Sequence, residues 1–189
     1  LSIANFNLGE LSRVMPFMPM VTGMLNGDVH AVMEEKQATV SMDMDVKKMG
    51  YEGNPLGDIG MEMIYFPNTD GSHLVDGILS QNNREIALLN GKYWTQDEEG
   101  QIEAEAHLMR LPLNIANGFI TDNMARLEGY ISGVLDVQGP ASAPLMSGSL
   151  ATDSMHICSD PYSIDLRLPD DEITIKKNFL DLDKIEAFA

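Results

Sequence analysis

The side chains able to do chemistry are few and scattered. His30, His73, His107 and His156 show neither His-x-x-x-His nor carboxylate-linked spacing. His156-x-Cys158 offers two metal donors. No second such pair lies near it, so metal binding is not expected. Cys158 is the only cysteine and has no obvious base or basic neighbours to activate its thiol. It reads as a small, buried or half-buried residue. Two carboxylate runs, Asp97-Glu98-Glu99 and Asp170-Asp171-Glu172, fall in predicted turns. Acid–base catalysis needs two carboxyl groups in environments different enough to separate their pKa values. Adjacent carboxylates on a hairpin tip are ordinarily solvated, and Asp43 and Asp45 share the polar face of a predicted strand. No nucleophile, base and orienting group come together, and no cofactor motif appears. An enzyme is not expected.

The glycine pairs Gly23-x-x-x-Gly27 and Gly129-x-x-x-Gly133 are not phosphate loops, which need Gly-Lys-Ser/Thr at the start of a helix. They lie inside predicted strands, where glycine permits a bend or a close backbone approach. Methionine is the more suggestive residue, with 14 in 189. Met42, Met44, Met61 and Met63 all fall on predicted apolar strand faces. A flexible, polarisable side chain suits a surface that must accept varied apolar shapes, and it also serves as ordinary core filler.

The elements that must position these residues are strands. Leu127, Gly129, Ile131, Gly133, Leu135 and Val137 alternate with small or polar residues before Gly139-Pro140 and Pro144 break the run. Val21, Gly23, Leu25, Gly27, Val29 and Ala31 repeat the plan. Each copy follows a short stretch of helical spacing: Leu8, Leu11, Val14 and Met15 in one case, Leu111, Leu113, Ile115, Phe119 and Ile120 in the other. Asn7 is placed to cap the first. The chain is therefore expected to be one segment, 1–189, of two approximate repeats, 1–100 and 101–189. Further strands are predicted at Thr39–Val46, Ile59–Tyr65, His73–Ser80, Glu85–Trp94, 102–108, Met146–Met155, Ser163–Leu168, Glu172–Lys177 and from Leu180 through Leu182 and Ile185. A loop is expected over Gly50–Gly57, with turns at Glu34–Lys36, Gln81–Arg84 and Gln96–Gly100. About ten strands without intervening long helices exclude a parallel α/β sheet.

The net charge of −17 disfavours nucleic acid and anionic lipid headgroups as electrostatic partners. An apolar content of 44% argues against disorder. A single cysteine rules out an intrachain disulfide. There is no apolar run long enough for a membrane-spanning helix and no visible signal peptide. Starting at Leu1, and ending inside a patterned segment, the chain looks like a piece of a longer protein. One-sided alternation obliges an antiparallel sheet to hide its apolar face. It can close into a barrel, stack as a sandwich, or curl into a groove.

The chain resembles the AsmA-like family, most closely the C-terminal region of its TamB-like (translocation and assembly module) branch. The stretch Leu127-Glu128-Gly129 through Gly139, Pro144 and Gly148 is similar to that family's succession of glycines followed by proline and glycine. Leu56-Gly57-Asp58-Ile59 through Tyr65, then Leu88-Leu89-Asn90-Gly91-Lys92-Tyr93, is similar to its recurring strand elements. The first copy departs from the pattern, with Met33 in place of a third glycine and Glu34–Gln37 in place of the Gly-Pro turn. The resemblance implies an all-β fold with two short helices, an elongated antiparallel sheet curled into an open apolar groove. It implies the periplasmic part of an inner-membrane-anchored protein of a diderm bacterium, with a TamA-like outer-membrane barrel as partner. Two roles come with it: sheltering or conducting phospholipid acyl chains between membranes, or aiding insertion of outer-membrane β-barrel proteins by strand addition. The groove residues expected on this reading are Leu25, Val29, Val40, Met42, Met44, Val46, Ile59, Met61, Met63, Tyr65, Ile131, Leu135 and Val137. No cofactor is expected.

Overall fold

A computed structural model describes residues 1–10, 20–34, 37–95, 100–120 and 124–181. They form one antiparallel sheet of twelve strands. The strands are β1 Ser2–Asn7, β2 Val21–Glu34, β3 Gln37–Tyr51, β4 Asn54–Pro67, β5 Ser72–Gln81, β6 Arg84–Trp94 and β7 Gln101–Pro112, then β8 Arg126–Pro140, β9 Leu145–Ser159, β10 Ile164–Arg167, β11 Glu172–Lys176 and β12 Phe179–Asp181. Each strand pairs with the next in sequence through β9. β9 is long enough to hold two short partners end to end, β10 on 156–159 and β11 on 148–151. A seven-residue 3-10 helix, Leu113–Phe119, joins β7 to β8.

The alternation that predicts the strands also sets their register, because a slip of one residue would turn every apolar side chain to the other face. Tight turns pin it. Glu52 (φ 47°) and Gly53 (φ 81°) reverse the chain in two residues, as do Asn82 (50°) and Asn83 (62°). Positive φ at both central positions matches the twist of a hairpin. The loop expected over Gly50–Gly57 is therefore only this two-residue turn, and β3 and β4 run into it from both sides. Glycine and asparagine there serve the turn itself.

The predicted helix of 111–120 is present as the 3-10 helix, with Leu111 still in β7. Of the first predicted helix, Asn7 accepts the Gly9 N–H at 3.0 Å as a cap would, while Leu11, Val14 and Met15 lie outside the described residues. So do Glu35 and Lys36, the run Asp97-Glu98-Glu99, and Leu182 and Ile185. β1, which pairs with β2, has no counterpart in the sequence expectation.

Among the described residues, nothing packs over the sheet as a second layer. Apart from ladder neighbours, the substantial contacts are those of the helix with β8 and with β4. On a flat sheet β4 and β8 would lie about 19 Å apart, at roughly 4.8 Å per strand. Asn54 of β4 nevertheless lines one cavity of about 250 Å³ with Arg126 of β8 and Cys158 of β9. The sheet is curled, most tightly at this end, where the helix lies. Among the described residues five hydrophobic side chains are buried: Leu56, Ile86 and Leu113 come from the same end, and Leu150 and Ile173 pair across β9 and β11. The accessible surface is 12292 Å², against about 8,900 Å² for a compact monomer of this mass. An open, single-layered sheet, exposed on both sides, adds surface in this direction. Of the three closures compatible with the sequence, the sandwich and the sealed barrel are excluded, and the open curled sheet is what forms.

The β4–β5 turn carries a checkable contact. Asp70 accepts the Ser72 N–H at 2.9 Å and its hydroxyl at 2.6 Å, and Ser72 is fully buried. These bonds, the hydroxyl's first, hold the Asp70 carboxyl below its ordinary value of 3.8. A carboxyl group whose folded pKa is depressed stabilises above its unfolded pKa and stops doing so as pH falls through the folded one. Asp70→Ala is expected to lower Tm by about 2–4 °C at pH 6. The gap between the two melting curves should close as pH drops below 3.8. An equal gap at pH 6 and pH 2 would show that the carboxylate is not the cause.

Candidate functional site

Cross-strand partners point to the same side of a sheet, so the register identifies two faces. One face is apolar across most of the fold. Gly27 lies opposite Met44, then follow Met61, Leu79, Ala87, Leu108, Gly133, Leu150 and Ile173, each paired with the one before. The next rung runs Val29, Met42, Met63, Gly77, Leu89, Ala106, Leu135, Gly148 and Ile175. A third runs Ala31, Val40, Tyr65, Val75, Gly91, Ala104, Val137 and Met146. The only polar atom on these three rungs is the Tyr65 hydroxyl. With strands about 4.8 Å apart and rungs about 7 Å apart, the patch covers on the order of 500 Å². Apolar patches of this size on a single chain commonly mark a binding surface.

All thirteen predicted groove residues lie on this face. Val40, Met42, Met44 and Val46 are half-buried, and so are Leu25, Val29, Ile59, Met63, Tyr65, Ile131, Leu135 and Val137; Met61 is exposed. They are neither locked in a core nor turned fully to water. Met61, Leu89, Tyr93 and Met146 are among the exposed large hydrophobics of the chain, which leaves the face accessible to a ligand. At one edge of it the Tyr65 hydroxyl meets His73 Nδ1 at 2.7 Å, with the rings stacked 5.8 Å apart. The same alternation that puts Val75 on this face puts His73 there. Sequence alone offers no hint that a tyrosine eight residues earlier satisfies it, because the pairing depends on strand register.

The other face is polar and acidic but not uniformly so. A cavity of about 600 Å³ opens over it, lined by Asp28, Asp43, Glu62 and Asp76 with His30, Ser41, Asn90, Ile64, Ile78 and Leu88; Met42, Met63 and Gly77, which alternate with these along β3, β4 and β5, also border it. A twisted sheet is saddle-shaped, so each face is hollow along one diagonal. This hollow is absent from the sequence expectation. Farther along the same face Lys47 pairs with Asp45 at 2.8 Å and with Asp58 at 3.4 Å. The Lys48 N–H, 2.9 Å away, is the main cause that holds the Asp58 carboxyl below its usual range, and the bond to Asp45 raises the Lys47 ammonium.

Of the acidic runs set aside above, Asp170 accepts the Ser154 N–H at 2.7 Å, and the carbonyl of Asp171 accepts the Thr152 N–H at 2.9 Å. They fasten a turn and meet no second reactive group. Among the described residues, one group of side chains could hold a metal ion: His156, Cys158 and Asp165 have donor atoms within 4.8 Å of one another. The sequence shows the first two. The third arrives only through the β9–β10 ladder.

The architecture defines a class: an open, curled, amphipathic antiparallel sheet that presents one continuous apolar face. Compared with family models, with curated proteins and with solved structures, the chain matches none of them.

Proposed function

We propose that this chain is a section of a longer trough that shelters or conducts phospholipid acyl chains between the inner and outer membranes of a diderm bacterium, as its TamB-like sequence features suggest. The observation that carries the reading is the apolar face: three rungs, spanning β2 to β9, that no second layer covers among the described residues. An acyl chain laid against it exchanges water for methyl and thioether contacts, worth about 0.8 kcal/mol per methylene. Methionine tolerates chains of differing length and unsaturation. The net charge of −17 keeps so apolar a surface soluble. On this reading the protein is not an enzyme, it needs no cofactor, and a TamA-like barrel receives its cargo at the outer membrane.

The test is solvent extraction of gently purified protein followed by mass spectrometry. Co-purifying phospholipid is expected. Protein that carries no lipid, and that binds no fluorescent acyl chain when one is added, overturns the proposal.

The open sheet order favours a second reading. Among the described residues β1 and β12 each pair on one side only. An unpaired edge can accept a client strand, as an assembly factor for outer-membrane barrels would require. Crosslinkers placed along β12 should then capture nascent barrel strands, and crosslinks confined to lipid would rule this reading out.

A further inference from the structure

We propose that His156, Cys158 and Asp165 bind a divalent transition-metal ion of the zinc class, with Glu128 orienting the histidine. The site lies apart from the apolar face and does not depend on any role given to it.

Strand register builds the group. His156 and Cys158 are two apart on β9 and so project from one face. Asp165 of β10 lies directly opposite Cys158, and Glu128 of β8 directly opposite His156. Three strands therefore deliver four donors to one spot. The His156 Nε2 lies 2.6 Å from Asp165 Oδ1 and 3.2 Å from Cys158 Sγ. In a tetrahedral zinc site, bond lengths of about 2.0–2.3 Å put neighbouring donor atoms roughly 3.3–3.6 Å apart. The sulfur and nitrogen are already near that separation. Nitrogen and oxygen must part by about 0.7 Å for an ion to sit between them. Asp165 can yield, since its side chain is 73% exposed on a short strand.

Behind the ring, Glu128 Oε2 is 3.6 Å from His156 Nδ1. That is longer than a hydrogen bond; closing it by about 0.7 Å would let the carboxylate hold the proton on Nδ1 and leave Nε2 to the ion, as the outer partners of metal-bound histidines generally do. Cys158 also lines the cavity of about 250 Å³ at the curled end of the sheet, which gives an ion and a water molecule a way in. Two cations border the group. Arg126, opposite Cys158, is paired with Glu128 at 3.0 Å, and Arg167 lies opposite His156 on the outer strand.

The mixed donor set selects the ion. Thiolate with imidazole and carboxylate suits zinc or cobalt, whereas magnesium and calcium prefer oxygen alone. On binding, the sulfur–metal bond replaces the thiol S–H, and that proton leaves to solvent. The Nε2 lone pair takes the place of the contact with Asp165, and any proton shared there also leaves. Three protein ligands keep a fourth position for water.

Cobalt(II) added to the full chain is expected to bind at one equivalent and to give a thiolate-to-metal charge-transfer band. Cys158→Ser should remove the band. His156→Gln and Asp165→Asn should weaken binding at least tenfold, and Glu128→Gln by about tenfold. A second readout needs no cysteine variant: zinc should protect Cys158 from alkylation in the parent protein and fail to do so in His156→Gln. Absence of both the band and the protection overturns the proposal. So does a band that survives Cys158→Ser, or an unchanged affinity in His156→Gln.

Discussion

If the apolar face takes acyl chains as proposed, Met63→Glu is expected to weaken the binding of a fluorescent acyl chain by about thirtyfold. Met63 stands in the middle rung of the apolar face, opposite Met42 on one side and Gly77 on the other. A carboxylate there keeps its water and holds an acyl chain off the adjoining surface. Loss of two or three methylene contacts, at about 0.8 kcal/mol each, is about 2 kcal/mol, which gives that factor. The residue is half-buried, so a charge can reach solvent and the fold should persist. The matched change on the reverse face is Ile64→Glu. Ile64 is 49% exposed and borders the acidic hollow. It should alter binding less than twofold. The opposite outcome, with Ile64→Glu abolishing binding and Met63→Glu leaving it intact, would move the ligand to the acidic hollow and overturn the assignment of the face.

Gly133→Val is expected to cost about 3–5 kcal/mol and to separate β8 from β9. A Cβ at Gly133 would lie 2.1 Å from the carbonyl oxygen of Ser149, and the residue has φ +147°. Both the overlap and the backbone region count against a β-branched side chain, at roughly 1–3 kcal/mol each. Gly133 pairs with Leu108 on one side and with the buried Leu150 on the other, so widening the ladder also uncovers part of the small core. A domain with about 5–15 kcal/mol of stability in total would lose much of it, and Tm should fall by about 10 °C or more. Gly77→Ala is the contrast. Its Cβ would meet its nearest atom at an ordinary 3.6 Å. Replacing a glycine where the backbone allows it restricts the unfolded chain, and a change within about 1 kcal/mol, of either sign, is expected. Equal losses at the two positions would refute the argument from close approach.

The strands were legible because one side of each must avoid water, and that requirement imprints a two-residue period on the sequence. Val40, Met42, Met44 and Val46 were readable as one face for this reason, and the ladder aligned them with Ile59, Met61, Met63 and Tyr65 as the pattern implied. Turns were less legible. Gly50, Asn54, Pro55 and Gly57 resemble a loop in composition, yet only Glu52 and Gly53 turn, because glycine and proline also occur where strands bulge or end. Ser2–Asn7 shows no alternation, and its place as a strand comes from the β2 edge that it pairs with. The His156 cluster shows the limit most clearly. Its third donor sits nine residues on in the chain, and only the β9–β10 register, itself a tertiary fact, brings Asp165 opposite Cys158. The acidic hollow is illegible in the sequence for a related reason: Ile64, Ile78 and Leu88 come from three strands and look there like lapses in the pattern.

Because nearly every strand pairs with its sequence neighbour, the molecule's length is proportional to its strand count. Each added hairpin extends it by about 9.6 Å without disturbing those already present, as units do in proteins that grow by stacking. A chain built on this plan could be tailored to any gap by inserting or deleting hairpins in pairs. Its reach is an adjustable quantity, much as a ladder is cut to the height of a wall.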